Sequence, residues 1–234
     1  MAQALVTGAS RGLGLALGRE LVSRGWDVVV DARSKETLRV AAESMRGSGR
    51  VVPIAGDVAD PEHREALAAV VRRVGRLDLL VNNASTIGPS PQPTLDRYPV
   101  AEFERVYEVN VFAPLALVQA TLPELRTADG MVVNITSDAA VEPYEGWGGY
   151  GSSKAALEQL SAILAAEQPS LRAYAFDPGD MRTVMHQDAF PGEDISDRPD
   201  PETVVPSLHR LIAERPPSGR YRSADLPAPS ERVA

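Results

Sequence analysis

The sequence contains no cysteine, and only 3 of its 234 residues are histidine. The absence of cysteine excludes a disulfide framework, a thiolate nucleophile, an iron–sulfur cluster and a cysteine-bound zinc site. Three scattered histidines argue against a histidine-rich metal site. We therefore expect no bound metal.

Long hydrophobic runs are also missing, since none approaches the roughly 18 residues that a membrane-spanning helix needs. The longest, at 109–118, is interrupted by Asn110 and Pro114. The N-terminus has no basic lead-in, and its short apolar stretch runs directly into Thr7 and Gly8, which argues against a cleavable signal. The sequence therefore predicts a cytoplasmic protein that does not enter a membrane.

Positive charge is in deficit, with 24 Lys and Arg against 32 Asp and Glu and a formal net charge of -8. This balance opposes the positive field that sequence-independent nucleic-acid binding requires, so no nucleic-acid partner is expected. What the chain does have is a hydrophobic content of 44%, enough to bury a full-sized core. One domain is the simplest division at this length.

Short β-branched runs alternate with amphipathic stretches of helical length. Strands that are apolar on both faces suit a parallel sheet with helices packed on each side. Because crossovers between parallel strands are right-handed, a doubly wound Rossmann-type α/β sheet is the economical topology. The predicted strands are 4–6, 28–30, 51–55, 77–81, 131–135 and 171–176, and the predicted helices are 13–23, 35–45, 62–74, 101–125 and 150–167.

We predict a single domain over residues 1–234, with two special segments near its end. Residues 184–201 follow the last predicted strand and are expected to form a substrate lid. Residues 214–234 form a Pro- and Arg-rich tail that is expected to supply one short edge strand at 219–222.

Three glycines, Gly8, Gly12 and Gly14, lie between the first predicted strand and the first predicted helix. A dinucleotide site needs a tight turn and a close backbone approach here, and glycine permits both. The free N–H groups at the start of the helix would then face a pyrophosphate. The same glycines could also serve only the packing of strand against helix, but their position after the first strand favours nucleotide binding.

Tyr150 and Lys154 are four residues apart in a predicted helix, so their side chains share one face. A tyrosine hydroxyl with an ordinary pKa near ~10 transfers protons poorly at neutral pH, but a nearby cation favours its phenolate. Tyr150 is therefore a candidate general acid/base. Taken alone, the same pair is also common on the surface of amphipathic helices.

These features together resemble the classical short-chain dehydrogenase/reductase family, whose glycine pattern is Thr-Gly-x-x-x-Gly-x-Gly. Further motifs follow in the family's order over roughly residues 4–183. They are Asp57-Val58, Asn82-Asn83-Ala84, Asn110, Ser137, Tyr150-x-x-x-Lys154 and Pro178-Gly179-x-x-x-Thr183.

The resemblance implies hydride transfer between a nicotinamide cofactor and a carbonyl or alcohol, with four catalytic residues. Tyr150 would protonate the carbonyl oxygen, and Lys154 would lower the pKa of Tyr150 and hold the nicotinamide ribose. Ser137 would hydrogen-bond the substrate oxygen, and Asn110 would hold a water that links Lys154 to a proton path. Thr183 would bind the carboxamide. The implied cofactor contacts are Gly8, Ser10, Arg11, Gly12, Leu13, Gly14, Arg33, Ser34, Asp57, Val58, Asn83, Ala84, Ser85, Tyr150, Lys154, Pro178, Gly179, Met181 and Thr183.

The end of the second predicted strand bears on the choice between the two nicotinamide cofactors. Family members that prefer NAD usually place an acidic residue where Ala32 stands here, to bind the ribose 2′-OH. Arg33 follows, and Arg11 lies in the glycine loop, so two guanidinium groups could hold a 2′-phosphate. We therefore expect NADP(H) in preference to NAD(H). A one-residue shift would instead place Asp31 against the phosphate, and Arg33 could be simply a solvated cation.

The substrate side is less constrained, because this fold hosts many carbonyl substrates. Ser85 stands where the family usually has glycine and could narrow the pocket, bind substrate or occupy a tolerant turn. Tyr144, Trp147, Met185 and Phe190 could form an apolar pocket wall or pack in the lid. The substrate is expected to be a small carbonyl or alcohol, ranging from simple ketones and aldehydes to β-ketoacyl thioesters.

The resemblance also implies a homodimer or homotetramer through the helices at 101–125 and 150–167. An alternative function is a non-catalytic, NADP(H)-binding redox sensor, which predicts that one or more catalytic residues are missing. All four are present in the sequence. A flavin or mononucleotide binder of the same topology would leave Tyr150 and Lys154 unexplained.

Overall fold

The structure, a computed structural model, describes residues 1–226, so the end of the predicted tail at 227–234 lies outside the described residues. Seven parallel strands form one sheet in the order β3-β2-β1-β4-β5-β6-β7. The strands are β1 (Gln3–Val6), β2 (Asp27–Ala32), β3 (Val51–Ala55), β4 (Leu79–Asn82), β5 (Met131–Ile135), β6 (Arg172–Asp177) and β7 (Gly219–Arg222). The helices are α1 (Gly12–Ser23), α2 (Lys35–Ser44), α3 (Pro61–Val74), α4 (Val100–Tyr107), α5 (Ala113–Thr127), α6 (Gly148–Glu167), α7 (Val184–Ala189) and α8 (Val205–Glu214).

The central strand β1 shows why the sheet is covered on both faces. Alternate residues of a strand point to opposite faces. Leu5 packs into an apolar cluster with α3 and α5, whereas Val6 packs into a second cluster with α1 and α8. Both side chains are fully buried. The prediction of a doubly wound parallel sheet in a single domain is confirmed.

The long helix predicted at 101–125 is interrupted. A turn of π-helix at Glu108–Phe112 separates α4 from α5. Such a turn adds one residue to the helical repeat and is frequent at functional sites. It carries Asn110, whose side chain is completely buried.

The C-terminal part of the chain contains a helix that the sequence analysis did not assign. Helix α8 buries Val205, Leu208, Leu211 and Ile212, a spacing typical of an amphipathic helix, in the apolar cluster shared with α1. The edge strand expected at 219–222 is present as β7, parallel to β6. Within residues 1–226, each helix is too short or too polar to cross a lipid bilayer.

Candidate active site

A cavity of about 1040 Å³ lies at the carboxyl ends of the strands. It opens beside β1 and β4, where the strand order reverses, which is the usual place for a ligand in an open α/β sheet. The cavity is lined by every site residue predicted from the sequence except Gly14 and Asn110. One end is built by the glycine loop and the end of β2, and the other by α6 and α7.

The glycine loop has the backbone geometry that only glycine adopts without strain. Gly8 and Gly12 have φ angles of 66° and 58°. A Cβ atom on Gly8 would lie 2.8 Å from Cα of Ala84, and one on Gly14 would lie 2.6 Å from the carbonyl oxygen of Gly8. Gly14 therefore packs beneath the loop instead of lining the cavity, and a side chain there would displace the loop.

Asn83 fixes the glycine loop from the neighbouring strand. Its Nδ2 donates hydrogen bonds to the carbonyl oxygens of Thr7, at 2.8 Å, and of Gly8, at 3.1 Å. In return, Oγ1 of Thr7 accepts hydrogen bonds from the backbone N–H groups of Asn83 and Ala84, both at 3.0 Å. The amide of Asn83 thus positions the loop, while the residue also lines the cavity.

Asp31 and His63 form a buried pair beneath the same loop. Oδ1 of Asp31 accepts the backbone N–H of Gly8 at 2.7 Å, and Oδ2 lies 3.0 Å from Nε2 of His63. Burial raises the pKa of Asp31, while the hydrogen bonds from His63 and Gly8 act in the opposite direction. Both carboxylate oxygens of Asp31 therefore have partners within the protein. The sequence analysis did not identify His63.

The nucleotide end of the cavity fits an anionic dinucleotide. Arg11 precedes α1 and leaves its first turn without a side-chain cap, so free N–H groups face the cavity. Arg11 and Arg33 both line the cavity, and within residues 1–226 neither guanidinium group makes a hydrogen bond or an ion pair. A third arginine there, Arg105, is instead paired with Asp57, which also accepts the N–H of Ala59 at 2.9 Å.

The loop after β6 closes this end of the cavity. The N–H of Gly179, which has a φ of 73°, donates to Oδ1 of Asp177 at 3.0 Å. Thr183 caps α7, its Oγ1 accepting the N–H of His186 at 3.1 Å. The Thr183 hydroxyl keeps its own hydrogen free to donate into the cavity. Pro178 and Met181 complete this wall.

Tyr150 and Lys154 lie on the cavity face of α6, as their spacing predicts. Nζ of Lys154 lies 5.4 Å from the centroid of the Tyr150 ring and donates a hydrogen bond to the carbonyl oxygen of Ile135 at 2.8 Å. Tyr150 is 8% exposed and Lys154 only 2%. The two side chains are thus held in a nearly dry site.

This burial sets the protonation of both groups. It raises the pKa of Tyr150, an effect opposed by the Ser137 hydroxyl and reinforced by the charges of Asp138 and Asp177. Burial lowers the pKa of Lys154 to about 7. Burial is the largest influence on the pKa of Tyr150, and the lowering of this pKa by Lys154 stays a prediction.

Asn110 lies behind the predicted catalytic residues instead of in the cavity. Its Nδ2 donates to the carbonyl oxygen of Thr86 at 2.8 Å and to Oγ of Ser153 at 3.0 Å. Its Oδ1 accepts from Oγ of Ser85 at 3.1 Å and from the N–H of Thr86 at 2.9 Å. The amide joins the loop after β4 to α6, so its hydrogen-bonding capacity is committed within the protein. The hydroxyl of Ser85 donates into this network, and Ser85 also lines the cavity.

Aromatic side chains form the wall beside Tyr150. The ring centroid of Trp147 lies 5.6 Å from that of Tyr150 and 5.8 Å from that of Phe190. Tyr144 packs edge-on against Trp147 at 6.3 Å. Met185 packs with Trp147 and Tyr150 in the same apolar cluster. The pocket residues predicted from the sequence thus come together, with segment 184–190 providing one side.

An ion-pair network behind Ser137 was not predicted. Nε of Arg220 donates to Oε1 of Glu158 and its Nη2 donates to Oδ2 of Asp177, both at 2.9 Å. Nη2 also reaches the carbonyl oxygen of Ser137 at 3.3 Å. Oε1 of Glu158 accepts the hydroxyl of Thr136 at 2.7 Å. Arg220 therefore joins β7 and α6 to the ends of β5 and β6.

Comparison with known proteins agrees with this geometry. A doubly wound sheet whose glycine loop and Tyr–Lys pair share one cleft defines a Rossmann-type oxidoreductase. The family model described as short chain dehydrogenase matches residues 2–194. The chain therefore belongs to the short-chain dehydrogenase/reductase family.

Two curated relatives and one solved structure illustrate the likeness. The chain is 36% identical over 197 residues to sepiapterin reductase of Mus musculus, covering 78% of this chain and 76% of the relative. It is 35% identical over 193 residues to benzil reductase ((S)-benzoin forming) of Saccharomyces cerevisiae, covering 79% and 73%. Alcohol dehydrogenase from Thermococcus sibiricus, solved with 5-hydroxy-NADP, superposes with a TM-score of 0.85 at 26% identity, covering 98% and 100%.

Proposed function

We propose that this oxidoreductase uses NADP(H) to interconvert a carbonyl and an alcohol, with Tyr150 as the general acid/base. The observation that carries the proposal is the convergence of Tyr150, Lys154 and Ser137 on the cavity that the glycine loop opens. Two relatives are named as reductases, a sepiapterin reductase and a benzil reductase, and these names support a reductase reaction.

The nucleotide end of the cavity supports the choice of NADP(H). Arg11 and Arg33 would hold the 2′-phosphate, and the N–H groups at the start of α1 would hold the pyrophosphate. The carboxylate of Asp31 is engaged by Gly8 and His63, whereas the guanidinium groups of Arg11 and Arg33 line the cavity without a hydrogen bond in the described chain. The NADP analogue in the Thermococcus sibiricus structure supports the same cofactor.

The residues of this chain would control the transfer of one proton to the carbonyl oxygen. A bound nicotinamide supplies or accepts the hydride. The hydroxyl of Ser137, which donates to Asp138 in the structure, would rotate to donate to the carbonyl oxygen, and Tyr150 would deliver a proton to the same atom. Because burial raises the pKa of Tyr150, the hydroxyl stays protonated at neutral pH, which is the form that reduction requires. Lys154 would hold the ribose of a bound cofactor and offer a positive charge to the phenolate that forms.

The test is the loss of NADPH absorbance with a panel of ketones, aldehydes, diketones and β-ketoacyl thioesters. Tyr150→Phe keeps the ring and removes the transferable proton, so we expect turnover to fall by about 10²-fold or more. NADPH binding should persist in this variant. Unchanged turnover in Tyr150→Phe would remove Tyr150 from the mechanism. Tight NADPH binding without turnover of any substrate would favour the redox-sensor function.

Cofactor preference is tested by comparing NADPH with NADH in Arg33→Ala and Arg11→Ala. Loss of a charge-assisted hydrogen bond costs about 1.5–3 kcal/mol, so KM for NADPH should rise roughly tenfold or more. KM for NADH should change little in both variants. Equal effects on the two cofactors would contradict a role in 2′-phosphate binding.

We also infer a homo-oligomer that forms through α5 and α6. Three apolar side chains near these helices are substantially exposed: Phe112, Leu115 and Ile163. Such a surface suits a subunit interface. Sedimentation equilibrium tests this, and a monomer at micromolar concentration would refute it. The cytoplasmic location, inferred from the sequence, is tested by cell fractionation.

A further inference from the structure

A carboxylate stands beside the residue proposed to bind the substrate oxygen. Oδ1 of Asp138 accepts the hydroxyl of Ser137 at 2.7 Å and the N–H of Ala139 at 2.8 Å. Its Oδ2 accepts the hydroxyl of Tyr144 at 2.9 Å. The residue is exposed and lines the cavity. The carboxylate is thus held in a fixed orientation at the substrate end.

The negative charge of Asp138 is not neutralised by a neighbouring cation. Within residues 1–226, no Lys, Arg or His makes an ion pair with it, and its hydrogen-bond partners are neutral groups. Partial burial raises its pKa, but the hydrogen bonds from Ser137, Tyr144 and Ala139 outweigh this and leave the pKa lowered. Asp138 is therefore ionised at neutral pH.

The second aspartate at this end of the cavity differs in this respect. Oδ2 of Asp180 lies 3.6 Å from Nε of Arg198, and Oδ1 lies 3.8 Å from Nδ1 of His186. Arg182, which also lines the cavity, is paired with Asp200 at 2.6 Å. Arg198 is also paired with Asp197 at 2.7 Å, so both arginines near α7 are engaged by aspartates. Asp180 thus has a cationic neighbour, whereas Asp138 has none.

Aromatic side chains connect Asp138 to Tyr150. Tyr144 holds the carboxylate and also packs against Trp147, which itself packs against Tyr150. A ring lying against Trp147 would therefore lie within reach of both the carboxylate and Tyr150. A carboxylate can accept about four hydrogen bonds, and three are used here. The remaining acceptor position is on Oδ2.

We propose that Asp138 determines substrate charge: it admits neutral or cationic aromatic carbonyl compounds, binds their N–H or ammonium groups, and rejects carbonyl compounds that carry a carboxylate or phosphate. This rests on the proposed function, since it places the reacting carbonyl between Ser137 and Tyr150. It narrows the substrate range by disfavouring β-keto acids and phosphate-bearing thioesters. A like charge at the pocket wall repels them, and the two arginines beside α7, Arg182 and Arg198, are already paired with aspartates.

The test uses a neutral aromatic α-diketone together with its para-carboxylate and para-aminomethyl derivatives. These three compounds differ in charge but share the reacting group. With the wild-type enzyme and NADPH, we expect kcat/KM for the anion to be at least about tenfold below that for the neutral compound. The ammonium derivative should equal or exceed the neutral one. In Asp138→Asn, the penalty on the anion should fall to roughly threefold or less.

Asp188→Asn is the matched control. Asp188 lies on α7, is exposed and does not line the cavity, so the variant changes net charge equally. It should leave the order of the three compounds unchanged. Equal kcat/KM for the three compounds in the wild type, or an undiminished penalty on the anion in Asp138→Asn, would overturn the proposal.

Binding without turnover separates this proposal from the proposed function. Trp147 lies in the pocket wall, so its fluorescence should be quenched when a ring binds. We expect the same charge order in Kd, and its loss in Asp138→Asn, for the NADP⁺ complex of the enzyme. If that order is found without turnover of any compound, the selection by charge stands and the reductase function fails. If all three bind equally, the selection by charge fails whatever the turnover.

Discussion

Nε2 of His63 lies 3.0 Å from Oδ2 of Asp31, and through this carboxylate a residue of α3 supports the glycine loop at Gly8. Asp31 is 1% exposed and His63 is 7% exposed. A buried carboxylate requires hydrogen-bond partners, and these two account for both of its oxygens. The loop that would bind the pyrophosphate is therefore positioned from below by a side chain with no place in the cavity.

Replacing His63 with leucine should destabilise both the fold and the nucleotide end of the cavity. The change leaves Oδ2 of Asp31 buried without a partner, which costs about 1–3 kcal/mol in the free energy of unfolding. Because Oδ1 of Asp31 holds Gly8, we also expect NADPH to bind more weakly. Urea denaturation and a fluorescence titration with NADPH measure the two effects.

His63→Gln is the control for this prediction, since its amide can still donate a hydrogen bond to Asp31. It should recover at least part of the lost stability and of the lost NADPH affinity. If His63→Leu equals the wild type in both measurements, the pair does not support the glycine loop.

Much of the fold could be predicted from the sequence because the signals are local. Buried parallel strands are continuous apolar runs, and β5, predicted at 131–135, is found at Met131–Ile135. Tyr150 and Lys154 share one face of α6 because four residues make about one helical turn. The glycine loop follows from φ angles that only glycine adopts readily.

The missed features depend on contacts between residues far apart in the chain. His63 lies 32 residues from Asp31, and Arg220 lies 62 residues from Glu158, so no periodicity marks either pair. Gly56 packs closely against His63, since a Cβ atom at Gly56 would lie 2.1 Å from Nδ1 of His63. The sequence alone does not reveal this contact.

Arg220→Met tests the ion-pair network behind Ser137. The change leaves Asp177, whose side chain is 5% exposed, without its cation, so the free energy of unfolding should fall by about 2–4 kcal/mol. Because Arg220 also reaches the carbonyl oxygen of Ser137, kcat should fall more than KM rises. Thermal denaturation and steady-state kinetics provide the measurements.

Arg222→Met is the matched variant on the same strand. The partners in its ion pair with Asp225 are 58% and 52% exposed, and exposed pairs contribute about 0–1 kcal/mol. The two variants should therefore differ clearly in stability and in kcat. Similar small losses in both would mean that the network does not position Ser137.

Ala32→Asp should move the cofactor preference from NADPH towards NADH. Ala32 ends β2, is 8% exposed and lines the cavity beside Arg33. A carboxylate here would repel a 2′-phosphate and accept a hydrogen bond from a ribose 2′-OH. At an effective dielectric constant of about 20, two unit charges ~4 Å apart interact by roughly 4 kcal/mol, so a shift of about 10³-fold in the ratio of kcat/KM values is expected.

Ala32→Asn separates charge from size in this experiment. It should weaken the binding of both cofactors to a similar degree, without reversing their order. If the ratio of kcat/KM for NADPH to that for NADH is the same in Ala32→Asp and Ala32→Asn, the 2′-position of the ribose does not lie at the end of β2.

Lys154→Met should abolish most activity while stabilising the fold. Burial lowers the pKa of Lys154 from 10.5 to about 7, so the folded protein holds this ammonium group at a cost when the pH is below that value. Each pKa unit of this lowering corresponds to about 1.4 kcal/mol. Removing the ammonium group also leaves the carbonyl oxygen of Ile135 without its donor, which costs about 1–2 kcal/mol. The free energy of unfolding should therefore rise by roughly 3 kcal/mol in Lys154→Met.

This gain should depend on pH with a definite sign. Below about pH 7, Lys154 is protonated in both the folded and the unfolded chain, so its destabilising effect is complete and constant. Between about pH 7 and 10.5 the unfolded chain binds more protons, so the wild type gains stability relative to Lys154→Met as the pH rises. Urea denaturation of both proteins at about pH 6 and about pH 9 measures this difference. If the difference in the free energy of unfolding between wild type and Lys154→Met stays constant across this range, Lys154 is not desolvated in the folded protein.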